Sequence, residues 1–120
     1  MRRTGPTNYV LRKTIRLLRR AARVNNAEIW RYIAELLERP ARRRVVVNIY
    51  KINKLTKDGD VVIVPGKVLG VGKLNHRVVV AATAFSKQAI EKIKAANGRA
   101  MHIIELVNEN PRGSGVKIII

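Results

Sequence analysis

The 120-residue chain has no cysteine, which removes disulfide scaffolds and cysteine-ligated zinc sites and is compatible with a reducing, intracellular setting. Acidic residues are scarce: 8 Asp and Glu stand against 25 Lys and Arg, a formal net charge of +17. A free monomer with that charge repels itself strongly, so the composition fits a chain whose partner is a dense polyanion, nucleic acid above all. Aromatic residues are few, and Tyr9, Trp30, Tyr32, Tyr50 and Phe85 are scattered, without the interleaving of a single-strand stacking platform. Trp30 reads as core, whereas Tyr9 and Tyr50 are candidates for stacking on a base.

Long apolar runs are missing as well. The longest nearly apolar stretch, residues 78–85, is far below the roughly 18–20 residues needed to cross a bilayer. The basic start, Met1-Arg2-Arg3, is followed by apolar residues interrupted at Arg12, Lys13 and Arg16, so no signal-peptide core follows. A soluble, non-secreted chain with no membrane partner is expected. His, Asp and Glu nowhere cluster with metal-ligand spacing. Asp58 and Asp60 straddle Gly59, where aspartate serves turn hydrogen bonds. His76 and His102 stand alone and read as polar or core residues, so neither catalysis nor a cofactor is expected.

What is present is apolar residues, 47% of the chain, enough for one compact domain and too few residues for two independent cores with a linker. A single domain over residues 1–120 is expected, with a basic helical arm (1–44) and an α/β core (45–120). Charge is unevenly spread: residues 1–57 hold 16 Lys/Arg against 3 Glu, and residues 58–120 hold 9 against 5 Asp/Glu. The first half is thus the main contact surface and the second supplies most of the core. Arginine outnumbers lysine by 15 to 10, and its planar fork suits bidentate phosphate contacts better than an ammonium does.

After Pro6-Thr7-Asn8, Leu11, Ile15, Leu18 and Ala22 recur at helical spacing to about Val24, flanked by Thr14, Leu17 and Ala21. At 100° per residue, Arg12, Arg16, Arg19, Arg20 and Arg23 fall on the opposite face. Solvated faces usually mix signs, but no acidic residue precedes Glu28, so this comb is read as a phosphate-binding face. Asn25-Asn26 is expected to break the helix and cap a second one, with Trp30, Ile33, Ala34 and Leu37 inward until Pro40. Arg42, Arg43 and Arg44 then lead into a Val45-Val46-Val47 strand, and Asn48 is a plausible cap for a short helix burying Ile49, Ile52 and Leu55.

Asp58-Gly59-Asp60 turns the chain into a strand over residues 61–64. A glycine-spaced loop over 66–73 follows, leading to a strand over 78–85. That loop can bring backbone amides together between Lys67 and Lys73 as a phosphate cradle, or its glycines can simply serve tight bends. It is not a P-loop, because Leu74 stands where Ser or Thr should follow Lys73. Nor is it a dinucleotide fingerprint, since Asn75 replaces the third glycine after Gly70 and Gly72. Ser86 caps a helix with Ala89, Ile90, Ile93 and Ala96 inward, Asn97-Gly98 ends it, and a strand over 100–104, a turn or helix over 105–110, the turn 111–115 and a last strand over 116–120 complete the chain. Strands and helices alternate, which indicates layered α/β packing.

Several segments together resemble the archaeal and eukaryotic large-subunit ribosomal protein eighteen-e family, a relative of bacterial ribosomal protein L fifteen. They include Leu17-Leu18-Arg19-Arg20-Ala21-Ala22, Asn26-Ala27-Glu28-Ile29-Trp30, Lys67-Val68-Leu69-Gly70-Val71-Gly72, Val78-Val79-Val80-Ala81-Ala82 and Gly113-Ser114-Gly115-Val116-Lys117. The resemblance, closest to the archaeal form, implies an irregular strand-strand-helix superhelical α/β domain preceded by a basic helical hairpin. It also implies a non-catalytic, cytoplasmic constituent of the large ribosomal subunit, with large-subunit rRNA and neighbouring ribosomal proteins as partners and no small-molecule substrate. The candidate RNA-binding set is Arg2, Arg3, Arg12, Arg16, Arg19, Arg20, Arg23, Arg42, Arg43, Arg44, Lys54, Lys67, Gly70, Gly72, Lys73, His76, Arg77, Arg112, Ser114 and Lys117. The rival readings are a DNA-binding protein, for which no recognition-helix, zinc-finger or zipper pattern is found, and an RNA-processing enzyme built on the histidines or the Asp58/Asp60 pair.

Overall fold

The computed structural model describes residues 9–40 and 44–120; Arg2, Arg3, Arg42 and Arg43 of the candidate set lie outside the described residues. The chain is mixed α/β, in the order α1 (Tyr9–Val24), α2 (Glu28–Leu37), β1 (Val45–Asn48), α3 (Ile49–Leu55), β2 (Asp60–Ile63), β3 (Gly66–Leu69), β4 (Val78–Ala82), β5 (Ala84–Phe85), α4 (Lys87–Ala95), β6 (Arg99–His102), α5 (Ile103–Glu109) and β7 (Val116–Ile118). Two compact units form, one from the described residues up to Arg44 with Ile104–Ser114, the other from Val45–Ile103 with Gly115–Ile120.

In the first unit α1 and α2 form the expected helical hairpin. α1 buries Thr14, Ile15, Leu18 and Ala21, and the Thr14 hydroxyl is satisfied by donating to Val10 O at 3.0 Å. α2 buries Trp30, Ile33, Ala34, Leu36 and Leu37. Each such large apolar side chain, once fully buried, contributes about 1.5–3 kcal/mol of transfer free energy. Trp30 is core as expected, and its indole Nε1 donates to Pro111 O at 2.7 Å, which ties the 111–115 turn to α2.

The junction between the helices departs from expectation. Asn26 adopts φ 50°, Ala27 N donates to Ala22 O at 3.0 Å and Asn26 N to Arg23 O at 3.4 Å, the pattern of a Schellman close. The two asparagines therefore finish α1 instead of starting α2, whose N-cap is Ala27 with no side-chain cap. Asparagine suits both jobs because it caps N-termini and tolerates the left-handed conformation.

The second unit contains two parallel sheets, ordered β1-β3-β5 and β6-β4-β2-β7. From β1 to β6, consecutive strands alternate between the sheets, so the chain winds as a coil of strands and helices, in keeping with the superhelical expectation. Val47 pairs with Val68 in the first sheet, and Val62 with Val80 in the second. Alternate valines at 45 and 47, 62 and 64, and 78 and 80 enter one core with Ile49, Ile52, Ala89, Ile93 and Ile119. The inner strands β2 and β4 carry no exposed residue, which suits their near-continuous valine runs, whereas β1 alternates, with Val46 exposed between the buried Val45 and Val47.

Residues 66–69, expected as loop, form β3 against β1. The apolar run 78–85 is two strands in different sheets, because Thr83 leaves the ladder and donates to Gly66 O through both N (3.0 Å) and Oγ1 (2.9 Å). α4 is as expected at both ends: Ser86 Oγ accepts from Ala89 N at 3.1 Å, and Asn97 at φ 65° lets Gly98 N donate to Ile93 O at 2.9 Å.

Candidate nucleic-acid interface

The face of α1 opposite its buried stripe carries Arg12, Arg16, Arg20 and Arg23, all exposed. Positions i, i+4, i+8 and i+11 fall within about 80° of helix rotation and span roughly 16 Å along the axis. No acidic residue occurs in this helix. Like charges at i, i+4 cost an isolated helix about 0.2–0.5 kcal/mol per pair, a cost that a polyanion laid along this face removes. Arg23 in the last turn also suits the negative end of the helix dipole. Arg19 differs from the rest of the comb. It is half-buried and bridges to Glu38 just beyond α2, a pairing across 19 residues of sequence that periodicity cannot show.

Beside Arg19 and Arg23 lies a recess of about 340 Å³, also lined by Ala22, Asn26, Glu28 and Arg31. Arg31 was not in the candidate set; at i+3 from Glu28 it resembles a satisfied helical pair. The two side chains, 2.8 Å apart, are 58% and 78% exposed, and ion pairs so placed hold their partners weakly, so Arg31 extends the basic surface. Arg44 is half-buried, its Nε donating to Arg39 O at 3.2 Å. Arg112 and Ser114 are exposed on the turn that Trp30 anchors.

The glycine loop of the second unit is built differently from a phosphate cradle. Gly72 sits at φ +107°, and a Cβ there would come 2.4 Å from Tyr50 Cβ and 2.6 Å from Tyr50 N; at Gly70 it would meet Gln88 Cβ at 2.7 Å. The space that glycine creates is filled by α3 and α4. Val71 N donates to Asn48 Oδ1 at 3.3 Å and Asn75 N to Asn53 Oδ1 at 2.9 Å, so these two amides bond within the chain. Asn48 thus braces the loop instead of capping α3 with its side chain. Lys92 Nζ, absent from the candidate set, donates to Gly70 O at 2.6 Å and Gly72 O at 2.5 Å. What the segment presents outward is Lys67 on β3, Lys73, and the exposed side chains of Tyr50 and Val71.

The remaining candidates divide by their partners. Lys54 and Arg77 are exposed. Lys117 Nζ lies 2.9 Å from Asp60 Oδ2, and Asp60 also accepts from Lys57 N at 2.8 Å. The bond from Lys57 N, then that from Lys117, holds the Asp60 carboxyl below its ordinary value, so it remains an anion and keeps Lys117 engaged. Asp58 Oδ1 accepts from Arg77 N at 3.0 Å, 19 residues further along the chain, so of the two aspartates only Asp60, through Lys57 N, makes the local turn bond expected of both. His76 Nε2 is 2.6 Å from Thr56 Oγ1, whose single proton goes to Ile52 O at 2.7 Å. Nε2 therefore donates, and the imidazole pins the loop to the end of α3.

Among the described residues, no group of three His, Cys, Asp or Glu could hold a metal ion, and no helix is long and apolar enough to cross a membrane. Residues 23–101 match the family model for ribosomal proteins 50S-L15, 50S-L18e and 60S-L27A. Over nearly the whole chain the sequence is similar to proteins named large ribosomal subunit protein eL18. The one from Pyrobaculum aerophilum is 53% identical over 117 residues, covering 98% of this chain and 96% of the relative. That from Methanopyrus kandleri is 49% identical, covering 97% and 95%, and that from Sulfurisphaera tokodaii is 48% identical, covering 89% and 87%.

Proposed function

The chain belongs to the 50S-L15, 50S-L18e and 60S-L27A family of ribosomal proteins, and from that premise we propose that it is a non-catalytic constituent of the large ribosomal subunit in the cytoplasm, holding folded rRNA through the arginine face of α1. The observation that carries this reading is the set of four exposed arginines on a helix without any acidic residue, fixed in orientation by the buried stripe behind them. A fixed row of guanidinium groups binds phosphates with position as well as charge, and displaces the counterions condensed on the nucleic acid. Arg112, Lys54, Lys67, Lys73 and Arg77 supply secondary contacts, as do Arg2, Arg3, Arg42 and Arg43 on the sequence pattern alone, while Arg44, half-buried with its Nε on Arg39 O, ranks lower. Arg19, Lys117 and His76 already hold partners of their own, so they rank below the exposed side chains; Gly70 and Gly72 act indirectly, by shaping the segment that bears Lys67 and Lys73.

The relatives bear the name of a large-subunit protein, so neighbouring large-subunit ribosomal proteins are its further partners on this reading. Sedimentation of a cell extract tests the assignment. The chain is expected to migrate with large subunits at moderate salt and to be stripped from them as salt is raised. A wholly free pool at low salt would contradict it.

A further inference from the structure

Leu17 is 36% and Val24 71% exposed, although both lie on α1 beside its arginines. With Ile104 and Val107 they line a groove of about 310 Å³ whose only charged side chain, among the described residues, is Arg20. Asn108 adds an amide to the wall. Exposed apolar side chains gathered along the flank of an arginine row are a liability in water unless something covers them. We infer that this groove receives an unpaired nucleobase of the rRNA, an inference that rests on the rRNA-binding reading above.

The chemistry matches on each side of such a base. Its flat face is apolar and fits the aliphatic walls; the phosphodiester attached to it meets the row of Arg16, Arg20 and Arg23, with no carboxylate on the described walls to repel it. The Arg20 guanidinium can stack on the ring or hold its phosphate. The Asn108 amide offers both a donor and an acceptor to the base edge. An apolar side chain from a neighbouring protein would fill the groove but would make no use of the arginines around it.

The test uses the full chain and rRNA extracted from archaeal large subunits. Leu17→Gln and Val24→Gln should each weaken binding roughly tenfold, the scale of one stacked base, with the salt dependence unchanged because no phosphate contact is lost. Arg20→Gln should lower both affinity and salt slope. Unchanged affinity for Leu17→Gln and Val24→Gln, while the parent binds, overturns the base groove alone. So do variants that bind rRNA normally but no longer join other large-subunit proteins, which would make the groove a protein site. A parent chain that does not bind rRNA sinks the broader reading and this inference with it. Val24 is exposed at the helix end, so its variant should fold, and circular dichroism checks that it does.

Discussion

Replacing Arg12, Arg16, Arg20 and Arg23 together by Gln is expected to lower affinity for large-subunit rRNA by roughly three orders of magnitude at about 0.1 M salt, because each phosphate contact adds about 0.7–0.9 to the slope of log K against log salt, and four such contacts act together. The fold should survive. All four side chains are exposed, Gln is close to Arg in helix propensity, and removing like-charge neighbours relieves the helix by a few tenths of a kcal/mol per pair. Filter binding across a salt series, with circular dichroism as the control, reads both quantities. Loss of helix would mean that the row supports the structure; unchanged affinity would remove it from the interface. Arg19 is left out of this set because its bridge to Glu38 would confuse an effect on hairpin packing with one on binding.

Gly72→Ala should destabilise the second unit by at least about 3 kcal/mol, in the range of severe single substitutions, and lower its melting temperature on the order of 10 °C. Two costs add: a left-handed backbone that alanine adopts only under strain, and a Cβ placed 2.6 Å from Tyr50 N and 2.7 Å from Tyr50 Cα. Backbone atoms cannot step aside as a flexible side chain can. A glycine kept only to let RNA approach would behave in the opposite way, with stability unchanged and affinity reduced. Thermal melts of the free protein therefore decide between packing and RNA approach as the reason for this residue.

How much could be read in advance follows from how local each determinant is. The amphipathic stripe of α1, the Ser86 cap and the Asn97-Gly98 close of α4 depend on residues within one or two turns, and they appear where the sequence places them, except that Leu17, expected on the flank of the stripe, is exposed. The mixed α/β class follows from the valine runs and their alternation with helical segments. Determinants that depend on distant partners were hidden. β3 looks like loop because its pairing strand, β1, lies some twenty residues earlier, and the break at Thr83 is invisible in a continuous apolar run because it reflects a switch between sheets. Asn25-Asn26 was misplaced for another reason, since asparagine serves both ends of a helix. At the candidate interface, the arginine face was legible from its angular spacing, whereas the Glu38 partner of Arg19, the Tyr50 and Gln88 neighbours of the glycines and the groove beside Arg20 needed the tertiary structure.

The missing cysteine makes the central claim directly measurable. A single cysteine introduced at Arg16 is unique in the chain and can carry a tethered hydroxyl-radical source into the assembled large subunit. If the exposed face of α1 lies on rRNA, cleavage should fall on a short, defined set of rRNA nucleotides and be absent from the cysteine-free parent. Incorporation of the labelled chain without any rRNA cleavage above that parent would contradict the docking of this face on RNA.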